Sequence, residues 1–351
     1  MLASACTATI RGRGAASLAE ADFHRVPGAG WGGSTLDVGP DDSWYSLGVT
    51  MPTVVFDGTV YRMWFVGSSP TTDPSYPYGQ RDVLGMATST DGRSWQLANE
   101  GQPVLVPGPE GSPDDRGITH PFVLRVGDRF MLWYSAVDGT TAGDLGLQPS
   151  HVRVERLCLA TSRDGIVWHR ENGGRPVLDI RPPGAMDSIQ VDAPSVMRRG
   201  RRFLLWYGGY DGKHSLGLAA SYDGIAWTRL NDGKPLSGLS GPEQLGPSVH
   251  YDGRQYVLFF QHNGGEGGAG PSWNTYSAVS TDGIAWQMRR AGRAVLGPPP
   301  PGSFDSGGVG GNYAVHPSQF VTQGNATLVW YTGEQLNVKQ RIGLMRAEGR
   351  R

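Results

Sequence analysis

Only two cysteines, Cys6 and Cys158, occur in 351 residues, so no disulfide framework holds this chain together. Cys158 falls in an apolar stretch, where a small buried thiol is the ordinary reading. Charge of either sign is also lacking in surplus: 31 basic residues meet 32 acidic ones, and the formal net charge is −1. With no basic block, the chain offers a phosphate backbone no electrostatic footprint, which excludes nucleic acid as a partner. No apolar run approaches the ~20 residues that a membrane-spanning helix needs, so no membrane partner is expected either. Residues 1–10 are mildly apolar but lack the basic start and long hydrophobic core of a secretory signal. The chain therefore reads as cytoplasmic, with a secreted protein whose signal has been removed as the alternative.

Glycine and proline, by contrast, are abundant, at 53 and 25 residues, as many short strands and tight turns require. The phrase Ser-x-Asp-Gly-x-x-Trp occurs four times, at Ser89 to Trp95, Ser162 to Trp168, Ser221 to Trp227 and Ser280 to Trp286. Each copy follows a short apolar strand such as Leu84 to Thr88 or Leu157 to Thr161. An Asp-Gly pair suits a tight turn, and the Trp just beyond it gives a large apolar face to pack between neighbouring units. A second phrase runs from a proline through apolar residues and a polar turn to an aromatic doublet. It occurs five times, starting at Pro52, Pro121, Pro194, Pro247 and Pro317 and ending at Phe65, Tyr134, Tyr207, Phe260 and Tyr331.

Repetition at this interval is the signature of a repeat architecture. The fifth unit lacks its own outer strand, while Phe23-His24-Arg25 near the N-terminus resembles Trp168-His169-Arg170 and Trp227-Thr228-Arg229. The expected fold is therefore all-β: a five-bladed β-propeller of four-stranded antiparallel blades, with the ring closed by the N-terminal strand. Residues 1–20 read as an N-terminal extension without fixed structure, and 21–351 as a single domain, expected to be a monomer. Asp114, Asp187 and Asp305 recur ahead of inner strands, as structural turn residues would.

Five blades with proline-led inner strands and aromatic second strands resemble the propeller shared by glycoside hydrolase families 32, 43, 62, 68 and 130. The turn phrase is similar to the Asp box of sialidases, one residue shorter between Asp and Trp. The resemblance implies a central pocket where a small-molecule or carbohydrate ligand binds. In family 43 it implies a catalytic base before the first-blade proline, a pKa-tuning Asp before the second and an acid two residues before the third. Those places hold Met51, His120 and Asp192 here. Met cannot activate water, so either the carboxyl pair that glycoside hydrolysis needs has moved or the propeller has other chemistry.

Candidate catalytic residues are thus Asp192 and His120, with Glu243 and Asp211 as relocated carboxylates; each of the latter two reads singly as an ordinary solvated loop residue. Met51, Trp44, Tyr45, Trp273, Tyr313 and Glu334 are candidate substrate contacts around the axis, although loop aromatics usually pack on the scaffold. His316 and His120 precede prolines in two blades and should face the axis. With His262 they would suit zinc or another transition metal. The resemblance to family 43 implies instead an axial calcium near His316, and an imidazole-bridged water network is the alternative to any metal. The function expected is a glycosidase-like hydrolase. A non-hydrolytic biosynthetic enzyme using His/Asp proton transfer, for cyclisation, isomerisation or elimination, is the alternative, and an inactive glycan-binding propeller the third.

Overall fold

In the computed structural model, which describes residues 18–76, 79–263, 273–306, 315–335 and 338–348, the repeated phrases become antiparallel meanders. The loop at 264–270, Tyr313 and Cys6 lie outside the described residues. The first meander is β2 (Gly48–Phe56), β3 (Tyr61–Pro70), β4 (Gln80–Ser89) and β5 (Gln96–Leu97). The second is β6 (Gly117–Val126), β7 (Arg129–Thr141), β8 (Arg153–Ser162) and β9 (His169–Arg170). The third is β10 (Gln190–Arg199), β11 (Arg202–Tyr210), β12 (His214–Ser221) and β13 (Thr228–Arg229). Next come β14 (Gln244–Tyr251), β15 (Tyr256–Asn263), β16 (Trp273–Ser280) and β17 (Gln287–Met288). Finally β18 (Val321–Gln323), β19 (Ala326–Gln335) and β20 (Val338–Glu348) are joined on the outside by β1 (His24–Val26), with His24 opposite Arg346. The fold is all-β, and no α-helix occurs among the described residues.

The repeated turn works as a clamp. Its glycine takes the positive φ that only glycine adopts cheaply, 71° at Gly92 and 80° to 83° at Gly165, Gly224 and Gly283. The Asp carboxylate accepts the two backbone N–H groups that follow, as Asp164 does from Ile166 and Val167 at 2.8 and 2.9 Å. That leaves the glycine carbonyl facing the neighbouring meander, where a fully buried Trp indole donates to it. Trp64 reaches Gly165, Trp133 reaches Gly224, Trp206 reaches Gly283, and Trp330 of the last meander reaches Gly92 of the first, all at 2.8 to 3.0 Å. The Trp of the phrase itself packs edge-on against the same indole, 6.1 Å between ring centroids for Trp168 and Trp64.

A second repeated device ties the outermost strands down. Asp114 accepts from Tyr134 and Arg170, Asp187 from Tyr207 and Arg229, and Asp305 from Tyr331 and Arg25. These buried aspartates are anchors, as their recurrence suggests, through Arg and Tyr partners rather than turn geometry alone. The expectation of an unstructured extension over 1–20 is corrected at its end. Leu18–Glu20 form a 3-10 turn, Ala19 is buried against the fourth meander, and Ser277 Oγ donates to the Ala19 carbonyl at 2.7 Å. Among the described residues no helix is long and apolar enough to cross a membrane.

Candidate active site

Backbone strain recurs at one step of the inner strands, as it does in the short 3-10 turns at Asn99, Asn172, Asn231 and Arg290. In β2, β6, β10 and β14 the register skips at the proline. The residue before each of the five prolines has positive φ: Met51 53°, His120 45°, Ala193 45°, Gly246 59° and His316 48°. For a residue other than glycine such a conformation costs about 1–3 kcal/mol and persists only where its surroundings enforce it. Its effect is to bring these five residues and their prolines around one cavity of about 40 Å³. The His120 and His316 rings lie 5.0 Å apart and 61° from coplanar. The His120 N–H donates to Met51 Sδ at 3.3 Å, and the Met51 N–H donates to Thr332 Oγ1 at 2.8 Å. Burial holds His316 down at about 4 and His120 well below the usual range, so both imidazoles are neutral at pH 7.

Beside this ring sit three carboxyls, of which Asp82 and Asp192 are buried and Glu155 is half-buried. Asp192 is 3% exposed and lies over Gly208, and its Oδ1 has no hydrogen-bond partner among the described residues. Burial pushes it up to about 7. Glu155, at the start of β8, accepts weakly from Thr119 Oγ1 and Gln190 Nε2, both at 3.4 Å. Burial and the charge of Asp192 push it up to about 8. Asp82, on β4, accepts from Ser68 Oγ at 2.6 Å and Gln80 Nε2 at 3.2 Å, and burial raises it as well. Carboxyls raised into the neutral range can both give and take a proton near pH 7.

Sequence reasoning named Asp192 but missed Asp82 and Glu155. The signal was present: two residues ahead of Leu84, Leu157, Leu216, Tyr276 and Ile342 stand Asp82, Glu155, His214, Asn274 and Gln340, a polar residue in every unit. His214, at this position, opens β12 between Tyr210 and Trp273, at 4.5 and 6.0 Å, and its electrostatic influence reaches His120.

Several other candidates do not join the site. Asp211 is exposed and caps its own turn, accepting from the Lys213 N–H at 3.2 Å. Trp44 packs on Phe65 and donates to the Gly101 carbonyl at 2.8 Å, and Tyr45 packs on Trp44, so both are scaffold. Glu243 is half-buried ahead of β14 and acts on His214, Trp273 flanks the same imidazole, and Glu334 is half-buried on β19. His262 stacks on Tyr276, with ring centroids 3.6 Å apart, so its ring packs on β16 rather than completing a triad with His120 and His316. Among the described residues no group of three or more His, Cys, Asp or Glu is arranged to hold a metal ion. No carboxylate lines the axial cavity, which does not fit the oxygen-rich shell that calcium takes.

No family profile matches the chain. Over 190 residues it is 31% identical to the uncharacterised protein Rv1502 of Mycobacterium tuberculosis strain H37Rv, and equally to an uncharacterised protein of strain CDC 1551. The match covers 53% of this chain and 55% of each relative, so the chain spans about half the length of the curated relatives it matches. Among solved structures it is similar to a member of glycoside hydrolase family 130, described with hydrolases that target β-1,2 mannosidic linkages, at TM-score 0.70 and 16% identity over 94% of this chain and 95% of that one. It is also similar to the β-1,2-mannobiose phosphorylase of Listeria innocua, at TM-score 0.64 and 13% identity over 90% and 94%. The family 32 β-fructofuranosidase of Bombyx mori follows at TM-score 0.62 and 15% identity over 89% and 61%. The chain has a glycoside-hydrolase-like propeller fold.

Proposed function

We propose that the chain is a glycosidase-like hydrolase acting on a carbohydrate ligand beside the axial cavity, with Asp192 and Glu155 as its carboxyl pair. The observation that carries this is the pair itself, two neighbouring carboxyls, one buried and one half-buried, raised to about 7 and about 8. Near neutrality they hold about one proton between them. The protonated member of the pair protonates the leaving oxygen, and the ionised member activates water or attacks the sugar, as glycoside hydrolysis requires of two carboxyls. Asp82 keeps the proton on the pair by adding negative charge beside Glu155. The resemblance in fold to glycosidases and phosphorylases supports the choice of substrate class.

As the frame for this site we propose five blades forming a single domain over 21–351. β1 completes the last blade, and Trp330 clamping Gly92 closes the ring. The β1–β20 pairing and the Arg25–Asp305 contact support this closure.

Turnover of a panel of aryl glycosides by wild type, Asp192→Asn and Glu155→Gln tests the assignment. Each substitution is expected to lower kcat by about 10²–10⁴-fold. A variant that keeps wild-type turnover removes its carboxyl from the mechanism, and a wild type inert to every glycoside sinks the hydrolase. Met51, standing where family 43 enzymes carry a base, favours one second reading: non-hydrolytic proton transfer by His120 and Asp192. That reading predicts that His120→Asn stops turnover of a substrate without a glycosidic bond.

A further inference from the structure

The contacts of the two axial imidazoles point to opposite tautomers. Thr119 Oγ1 donates to Glu155 Oε2 at 3.4 Å and lies 3.3 Å from His120 Nδ1. A hydroxyl whose proton points at a carboxyl oxygen accepts from the imidazole, so His120 carries its proton on Nδ1 and a bare lone pair on Nε2. That Nε2 is buried and has no hydrogen-bond partner among the described residues. His316 is set the other way. Its Nδ1 lies 3.3 Å from the Gln261 side-chain nitrogen, an amide that can only donate, so the His316 proton sits on Nε2. Gly246 makes this contact available, since a Cβ there would stand 2.2 Å from the Gln261 nitrogen.

One ring therefore offers an acceptor and its neighbour a donor, and both line the same cavity. A single O–H group, which donates once and accepts once, is the complement of that pair. The size agrees. At about 40 Å³ the cavity holds a few water-sized groups, each needing roughly 10–15 Å³, and it cannot take a sugar ring. Its other walls are Met51, Phe122, Ala193, Gly246 and the five prolines, which suit a methylene carbon, together with Ser318 and Gln319, whose side chains are bonded to the Gln319 carbonyl and Trp330 N–H and to Thr53 and Val123 respectively.

We propose that the axial cavity is a hydroxyl-recognition subsite. It takes one primary hydroxyl arm of a polyhydroxylated ligand, which donates to His120 Nε2 and accepts from the His316 Nε2–H. The ligand class is thus one with a free hydroxymethyl group, bound so that its remaining atoms lie toward Asp192 and Glu155. The proposal rests on the axial pocket of the proposed function as the ligand site, and it does not depend on hydrolysis.

The test uses the full chain labelled with ¹⁵N-histidine. Long-range ¹H–¹⁵N spectra at pH 7 report which nitrogen of each imidazole carries the proton, and His120→Asn and His316→Asn assign the signals. Nδ1–H at His120 with Nε2–H at His316 is expected; any other pair of states, or an imidazolium, overturns the proposal. Titration then follows with methyl mannoside, glucoside and galactoside, and with their counterparts lacking only the hydroxymethyl oxygen. At least one parent glycoside is expected to shift both imidazole signals, and its deoxy counterpart to bind tenfold or more weakly. Equal binding of parent and deoxy sugar means the cavity holds only resident water, and a panel that perturbs neither imidazole also overturns the subsite. Failure of hydrolysis alone would show as absent turnover with these binding signals intact.

Discussion

Asp192 keeps its place because a neighbouring side chain is missing. Gly208 faces it across β10 and β11, and a Cβ there would stand 1.9 Å from Asp192 Oδ1 and 3.1 Å from its Cγ. An Asp side chain is too short to swing clear while its backbone stays paired. Gly208→Ala is therefore expected to displace the carboxyl and lower kcat about 10²-fold or more, as loss of an acid–base group does. Steady-state kinetics check this beside a thermal melt showing that the fold survives; wild-type kcat would mean Asp192 is not needed where it lies. The axial residues were legible because proline marks their register: Met51, His120, Asp192 and His316 follow from counting back from Pro52, Pro121, Pro194 and Pro317. Asp82 and Glu155 were not, because their strands were aligned only from the apolar run inward. A lone acid two residues upstream then looks like a loop residue. Which acids are buried is a property of the assembled blades, and no local pattern carries it.

Among the elements, β1 is the one whose position in sequence and in space differ most. Arg25 meets Asp305 and Tyr331 as Arg170 meets Asp114 and Tyr134, and as Arg229 meets Asp187 and Tyr207. The likeness of Phe23-His24-Arg25 to the outer-strand segments made this strand readable, because the anchor needs the same Arg at the same step. Asp305 is fully buried, and Arg25 is the basic residue paired with it among the described residues. Arg25→Met leaves an uncompensated buried charge, which costs about 3 kcal/mol or more, since breaking a buried pair costs more than the pair contributes. Chemical denaturation should show that loss, and hydrogen exchange should quicken first at Val26 and its partner Leu344 in β20. Unchanged stability would mean that β1 is held by strand pairing alone.

For the molecule as a whole, the site makes stability depend on pH in an unusual direction. Most acids are stabilised as carboxylates on folding, so stability usually rises with pH. Asp192 is raised to about 7 by burial, far above the ~3.9 of an exposed Asp, so between those values the folded protein binds the proton and the unfolded chain does not. Its contribution is complete below the unfolded value and is lost as pH rises through about 7, and Glu155 follows at about 8. His120 and His316 act oppositely. Their depressed values mean that the unfolded chain takes up protons they refuse, so they raise stability as pH climbs through about 6.5, the midpoint of a free imidazole, and still offset part of the carboxyl effect up to about pH 7.5. The imidazoles are common to wild type and Asp192→Asn, so the carboxyl slope is read as the difference between the two proteins. From about pH 6.5 to 8 that difference is expected to shift by about 1 kcal/mol against wild type through Asp192, 3% exposed, with Glu155 acting in the same sense in both. Asp192→Asn should flatten that slope and, at pH 8, exceed wild type in unfolding free energy while its activity is lost. Urea titrations of both proteins across this window measure it, and parallel slopes would show that Asp192 already ionises freely in the folded state.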